Sequence, residues 1–142
     1  MVMLTFRIPE PHQVGLRMVR NALARHGLRT PAELNIAARI KQELGAGVAP
    51  CVVLYVDDPA VLLEAVVFNR GAALLIPHPV VVTGGERETE VLLRSSESLA
   101  GITQESVRGP LLDLHRRIFL ALEGIAERHE AHLNISPSLD VR

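Results

Sequence analysis

The order of hydrophobic and polar positions along the chain predicts a mixture of strands and helices. Period-two alternation and short β-branched runs indicate strands, whereas apolar residues that recur every three or four positions indicate helices. Proline and glycine mark the ends of most segments. The predicted strands cover residues 2–8, 49–56, 72–83 and 86–94, and the predicted helices cover 12–26, 31–44, 59–69 and 110–131.

Capping and turn residues predict where several of these elements begin. The stretch Thr30–Glu33 forms a capping box, which predicts a helix start at Pro31. Asp58-Pro59 predicts the start of the third helix in the same way. Gly109-Pro110 predicts the start of the last helix, because proline is costly inside a helix. Gly84-Gly85 indicates a two-residue turn between the last two strands.

These elements predict one α+β domain, a two-layer sandwich in which helices cover a mixed or antiparallel sheet, with a C-terminal helix. A chain of 142 residues suits a single domain over 1–142, with 132–142 as a loose tail. The third helix, 59–69, has Glu64 as its one internal charge and must be covered on nearly all sides. We therefore expect a homodimer that pairs through this helix.

Composition and charge limit the classes of function. The net charge of −1, with three Phe, one Tyr and no Trp, argues against nucleic-acid binding. The chain begins without a signal-peptide pattern and has no apolar run long enough for a membrane span, so we expect no membrane contact. Cys51 is the one cysteine, which excludes an internal disulfide and suggests a reducing, cytoplasmic location.

Residues 74–85, LLIPHPVVVTGG, place a histidine inside an apolar strand. Because side chains alternate between strand faces, His78 shares a face with apolar residues such as Val80. Pro77 and Pro79 remove two backbone donors from one edge, so the strand is interrupted there or lies at a sheet edge. His78 is then either a core or interface histidine bonded to backbone groups, or a ligand or proton carrier in a pocket at the break.

The end of the preceding strand supplies the other candidate ligand-binding residues, Asp57, Asp58, Tyr55 and Cys51. The two carboxylates suit acid–base work or a metal, and the strand-to-helix turn suits an anion. Capping explains Asp58 together with Pro59, which favours a structural role. A lone cysteine is more often a small core residue than a nucleophile, and a tyrosine mostly packs while its hydroxyl finds one partner.

Three histidines near the C-terminus need separate interpretations. His115 has apolar residues one turn before and one turn after it, which predicts a buried or interface position. His129 and His132 are three residues apart and could contact a metal together. A favourable interaction with the helix C-terminal dipole explains them better, and two ligands are too few for a metal site. We therefore predict no metal site.

The central motifs resemble the domain of unknown function 302 family over roughly residues 12–94. The similar segments are LNIAARIKQELG, PCVVLYVDDPAVLLEAV and ALLIPHPVVV, in the family's order and spacing. The family's Asn-Pro is Asp58-Pro59 here, and its cysteine after Leu-Leu-Pro falls on His78, so any role that needs a thiol there is in doubt. The resemblance implies a two-layer α+β sandwich and frequent dimers, and it implies no established activity.

Our first functional hypothesis is a small-molecule or ion-binding homodimeric module. Its site lies where the Asp57–Pro59 turn meets the Pro77–Pro79 break. The alternative is an enzyme at the same place, with His78 as general acid or base and Asp57 or Asp58 as its orienter. A purely structural or interaction protein is the third possibility. The sequence identifies no cofactor and leaves open whether the chain is an enzyme.

Overall fold

The computed structural model of the chain describes residues 2–132, and it has an α+β fold. The strands are β1 (Val2–Ile8), β2 (Arg29–Asn35), β3 (Cys51–Asp57), β4 (His78–Gly84), β5 (Thr89–Arg94) and β6 (Glu127–His132). The helices are α1 (His12–Arg25), α2 (Ile36–Leu44), α3 (Pro59–Phe68) and α4 (Glu105–Glu123), with 3₁₀ turns at Arg70–Leu74 and Ser96–Leu99.

The strands form one antiparallel sheet in the order β2-β3-β4-β5-β1-β6, and the helices pack on it. This confirms the predicted α+β class and the C-terminal helix. Alternate residues of the central strands point into the core, where Phe6, Leu54, Val80 and Val91 are fully buried. The intervening residues point away from this core and are half-buried, as at Val53 and Tyr55 of β3 and Pro79 and Val81 of β4.

Helix α1 lies close to the sheet because Gly15 has no side chain. A Cβ at this position would be 2.1 Å from Oγ1 of Thr89 and 2.5 Å from its Cβ. The Thr89 hydroxyl donates a hydrogen bond to the carbonyl of Glu10 (2.9 Å), just before α1 begins. The helix and β5 are therefore in contact at Gly15, and this contact sets the distance between the two layers.

The predicted helix start at Pro31 is wrong, because residues 29–35 form an edge strand. The helix begins instead at Ile36, where the Asn35 side chain accepts a hydrogen bond from the backbone N–H of Ala38 (2.9 Å). An edge strand tolerates proline, and the pairing of β2 with β3 is irregular between Arg29 and Ala32. Pairing with β3 thus prevails over the local capping pattern.

The predicted hairpin between the last two central strands has the wrong loop and boundaries. Gly84 pairs with Thr89, so the loop is longer than a Gly84-Gly85 turn, and the N–H of Gly85 donates to the carbonyl of Glu88 (2.9 Å). Gly84 has φ 132°, which favours glycine. The strand predicted from residue 72 begins at His78, since residues 70–74 form a 3₁₀ turn. The Ile76–Pro77 peptide bond is cis.

The last helix starts and ends earlier than predicted. It begins at Glu105 and contains Pro110, whereas the sequence placed Pro110 at its first position. Packing offsets the lost backbone hydrogen bond, since Leu111, Leu114 and Ile118 of this helix are buried in the core. Residues 127–131, predicted as helix, and His132, predicted as the start of the loose tail, form β6 beside β1. The rest of the predicted tail, 133–142, lies outside the described residues.

Candidate functional site

His78 lies at the first position of β4, in the interior of the sheet. Its side chain is 3% exposed, and it faces the core together with Val80 and its cross-strand neighbour Val56. Pairing of β4 with β3 includes His78, but pairing with β5 begins only at Val81. The sheet is therefore interrupted on one side of His78, as the flanking prolines predict. We call this gap between the start of β4 and the end of β5 the strand break.

His115 of α4 packs against His78 at the strand break. The two rings meet edge to face, with their centroids 5.6 Å apart and an interplanar angle of 81°. His115 is buried, as its apolar neighbours predict. Its Nε2 donates to the carbonyl of Arg94 at 2.6 Å, because a carbonyl can only accept. In the neutral imidazole, Nδ1 therefore carries the free lone pair.

Both imidazoles are held in the neutral form. Burial lowers the pKa of His78 to about 3, and the nearby charges of His115 and Arg94 act in the same direction. Burial also lowers the pKa of His115, while its hydrogen bond to the Arg94 carbonyl raises the pKa and the Arg94 charge lowers it. At neutral pH the pair can accept and donate hydrogen bonds without carrying charge.

The strand break gathers polar atoms that have no hydrogen-bond partner. Among the described side chains, the buried nitrogen and oxygen atoms without a partner are Nε2 of His78, Nε of Arg94 and Oγ of Ser95. If the β4–β5 pairing continued in register, Ser95 would lie opposite His78. Buried polar groups are normally satisfied, so these three side chains have hydrogen-bonding capacity left for a water, an ion or a small molecule.

A groove of about 440 Å³ gives access to this region, with Ser95 and His115 among its lining residues. Arg116 and Arg128 supply positive charge to the groove, and Glu97 supplies its acidic group. The guanidinium of Arg128 lies 5.1 Å from the centre of the Phe119 ring. The balance of formal charge along the groove is thus positive, and Ser95 and His115 connect the groove to the strand break.

Asp57 and Asp58 flank the end of β3, but no hydrogen bond or ion pair within residues 2–128 joins either carboxylate to His78. Asp58 caps α3 by accepting from the N–H of Ala60 (2.9 Å), and it binds Arg117 (2.5 Å). Its hydrogen bonds to Arg117 and Ala60 lower the pKa of Asp58. Burial and the charge of Asp58 raise the pKa of Asp57, and Arg29 lowers it. Asp58 therefore has the structural role that capping predicts.

Cys51 and Tyr55 lie on the sheet face opposite to His78. They alternate along β3 with the buried residues Val52, Leu54 and Val56, and Tyr55 pairs with Pro79 rather than His78. Cys51 lines a separate groove of about 770 Å³ beside α1 and α2, and burial raises the pKa of its thiol. The structure therefore does not bring the predicted ligand-binding residues together at one place.

Arg94 and Ser95 were not identified from the sequence, and His115 was not paired with His78. Neither Arg94 nor Ser95 stands in a motif, so their importance depends on how β4 and β5 pair. The correct hairpin length was the signal that could have revealed Ser95, because the register then places it opposite His78. His115 required the packing of α4 on the sheet.

The part of the chain described here contains no group of three metal-ligating side chains. His129 and His132, considered above as a metal pair, lie in β6, and the structure does not describe their side chains. Within residues 2–132, no helix has both the length and the apolar character needed to cross a membrane.

Comparison with known proteins gives a family and a fold. The model of the family described as "Domain of unknown function DUF302" matches residues 5–123. A solved structure, "Crystal structure of uncharacterized conserved protein DUF302 from Bacillus stearothermophilus", superposes with a TM-score of 0.73 at 12% sequence identity. The superposition covers 87% of this chain and 97% of that one, so the two share a fold. Among curated proteins, none matches this chain.

Proposed function

We propose that this chain, which belongs to the DUF302 family, is a binding module for a small polar molecule. The name of the family assigns no activity. The ligand occupies the groove beside the strand break. The observation that carries this proposal is the set of partnerless buried polar atoms on His78, Arg94 and Ser95. A ligand that satisfies such groups gains hydrogen bonds whose desolvation cost has already been met in folding.

The geometry favours binding over acid–base catalysis. A histidine that acts as a general base is usually oriented by a carboxylate, and Asp58 is instead engaged with Arg117 and the start of α3. The low pKa of His78 also removes it from the range in which a histidine exchanges protons near neutral pH. The neutral rings and the Ser95 hydroxyl are suited to hold a ligand in place.

Native mass spectrometry of freshly purified protein tests this function. We expect an adduct of defined mass that is released on denaturation, and Ser95→Ala should reduce its occupancy because a hydrogen bond is lost. Thr103→Ala, at an exposed threonine, is the matched control and should retain the adduct. If the ligand dissociates during purification, a thermal-shift assay with a panel of metabolites can still detect its binding. Equal occupancy of the adduct in wild type and Ser95→Ala would show that the ligand does not bind beside Ser95.

We also propose that the module is a homodimer that pairs through α3. Val61 and Ala65 of this helix are buried, whereas Leu63, Val67 and Phe68 are 66%, 70% and 57% exposed. Exposed apolar patches of this kind are characteristic of protein–protein interfaces. The free thiol of Cys51 and the absence of other cysteines suit a reducing, cytoplasmic location.

The Val67→Glu substitution tests the dimer, because it buries a charge in the proposed interface. Light scattering after size-exclusion chromatography should give twice the chain mass for wild type and the single chain mass for Val67→Glu. Glu43→Gln, at an exposed position on α2, should leave the dimer intact. A monomeric wild-type protein at micromolar concentration would contradict this interface.

A further inference from the structure

We propose that the ligand presents an anionic oxygen group together with an O–H donor, an inference that rests on the proposed binding function. Hydrogen phosphate and a 2-hydroxycarboxylate share this chemistry. The positive rim of the groove selects the anionic group, and the free ring nitrogen of His115 selects the hydroxyl. The anionic group is recognised by Arg116 of α4 and Arg128 of β6, and the hydroxyl is recognised by His115 of α4.

The arginines of the groove recognise the anionic group of the ligand. Arg116 is exposed at the groove and has no ion pair among the described side chains. Arg128 is 3.8 Å from Glu123 and stacks on Phe119, so its guanidinium is held at the rim. Glu97 is the acidic lining residue. A carboxylate or phosphate oxygen is the natural partner of two guanidinium groups.

The hydrogen-bonding state of His115 explains why the ligand should carry an O–H. Its Nε2 is already engaged with the Arg94 carbonyl, so Nδ1 is the ring nitrogen left for a ligand. Burial and the Arg94 charge keep the ring neutral, and a neutral Nδ1 is an acceptor. An oxyanion without a proton would place its lone pairs against this lone pair. A ligand that also carries an O–H donates to it instead.

Ser95 contributes to the recognition of both groups of the ligand. It is 8% exposed, it lines the groove beside His115, and its Oγ has no partner. A hydroxyl can donate to an anionic oxygen or accept from the ligand O–H, so it tolerates either orientation of the ligand. The positive rim, the neutral acceptor and the free hydroxyl together define a site that distinguishes anions that carry an O–H from anions that do not.

Matched pairs of probe anions test the inference by isothermal titration calorimetry at pH 7. Inorganic phosphate carries an O–H and sulfate does not, and glycolate carries a hydroxyl that acetate lacks. We expect phosphate to bind at least about tenfold more tightly than sulfate, or glycolate than acetate, because a probe without an O–H leaves Nδ1 of His115 facing an anionic oxygen with no hydrogen to accept. A preference in the first pair alone identifies a phosphate ligand, and one in the second pair alone identifies a hydroxy acid.

Variants separate the contributions to this preference. Arg116→Gln should weaken all binding probes by a similar factor, whereas Arg39→Gln, at an exposed arginine of α2, should weaken none. His115→Leu should remove the preference within a pair while retaining part of the affinity. Circular dichroism checks that it folds, and if it does not, the wild-type preference and the Arg116→Gln result remain decisive.

The possible failures can be told apart. Equal affinity within both pairs, combined with weaker binding by Ser95→Ala, overturns the hydroxyl requirement and leaves the proposed binding function intact. If none of the four probes binds at millimolar concentration while native mass spectrometry shows an adduct that depends on Ser95, the ligand class is overturned and the function stands. If no probe binds and native mass spectrometry shows no adduct, both the ligand class and the proposed binding function are overturned.

Discussion

Acidification from pH 7 to pH 5 is expected to lower the free energy of unfolding by about 2 kcal/mol through His78 alone. The pKa of His78 in the folded protein is about 3, whereas an unfolded histidine has a pKa near 6.5. Between these values the unfolded chain binds a proton that the folded protein excludes. Stability therefore falls as the pH drops below about 6.5, and this loss levels off near pH 3.

Chemical denaturation at pH 7, 6 and 5 measures this dependence. His78→Gln should show a flatter profile than wild type, because the titrating group that must stay neutral is gone. His26→Gln, at an exposed histidine, should keep the wild-type slope. Burial also lowers the pKa of His115, which adds a loss of the same sign in all three proteins. Identical slopes for wild type and His78→Gln would show that His78 is not held neutral by the fold.

Replacement of Gly15 by alanine is expected to destabilise the protein by about 2–3 kcal/mol. The added Cβ would lie 2.1–2.6 Å from the side-chain atoms of Thr89, so α1 must move away from β5 or Thr89 must give up its bond to Glu10. Neither adjustment is local, since α1 packs on the sheet along its buried face.

The Gly101→Ala variant is the matched control, because a Cβ there would meet nothing within 4 Å. Thermal and urea unfolding should show a large loss for Gly15→Ala and a change below about 1 kcal/mol for Gly101→Ala. Equal stability of the two variants would mean that α1 does not approach β5 as closely as the structure shows.

Alternation and capping along the chain were enough to predict the elements whose local signals agree with their tertiary contacts. The alternating segment 2–8 forms β1, and the continuous apolar run after Pro50 forms β3. Asp58 caps α3 as predicted, since its carboxylate accepts from the N–H of Ala60. In these segments no distant partner was needed to decide between strand and helix.

Edge strands were missed because their local sequence favours a helix. The Thr30–Glu33 stretch satisfies the rules for a capping box, and only its pairing with β3 makes it a strand. Residues 127–132, ERHEAH, lack β-branched residues and continue the polar pattern of α4, yet they pair with β1. Both strands depend on a neighbour that is distant in the sequence.

The candidate site was predicted in part, and its missing members depend on strand register. The prolines around His78 correctly predicted an interruption in pairing. A two-residue turn at Gly84-Gly85 would have placed Val91 opposite His78, whereas the longer loop places Ser95 there. This shift replaces an apolar neighbour with a hydroxyl, and it changes the chemistry of the site. No local pattern near residue 95 carries that information.

NMR of the imidazole ring nitrogens tests most directly whether the strand break holds two neutral histidines beside the proposed ligand-binding groove. Long-range proton–nitrogen correlation spectra from pH 7 to pH 4, with and without phosphate, report the protonation of each nitrogen. We predict that His78 stays neutral down to about pH 4, that His115 carries its proton on Nε2, and that phosphate shifts Nδ1 of His115. A His78 that titrates near pH 6.5, or ring nitrogens that do not respond to any bound anion, would contradict this arrangement.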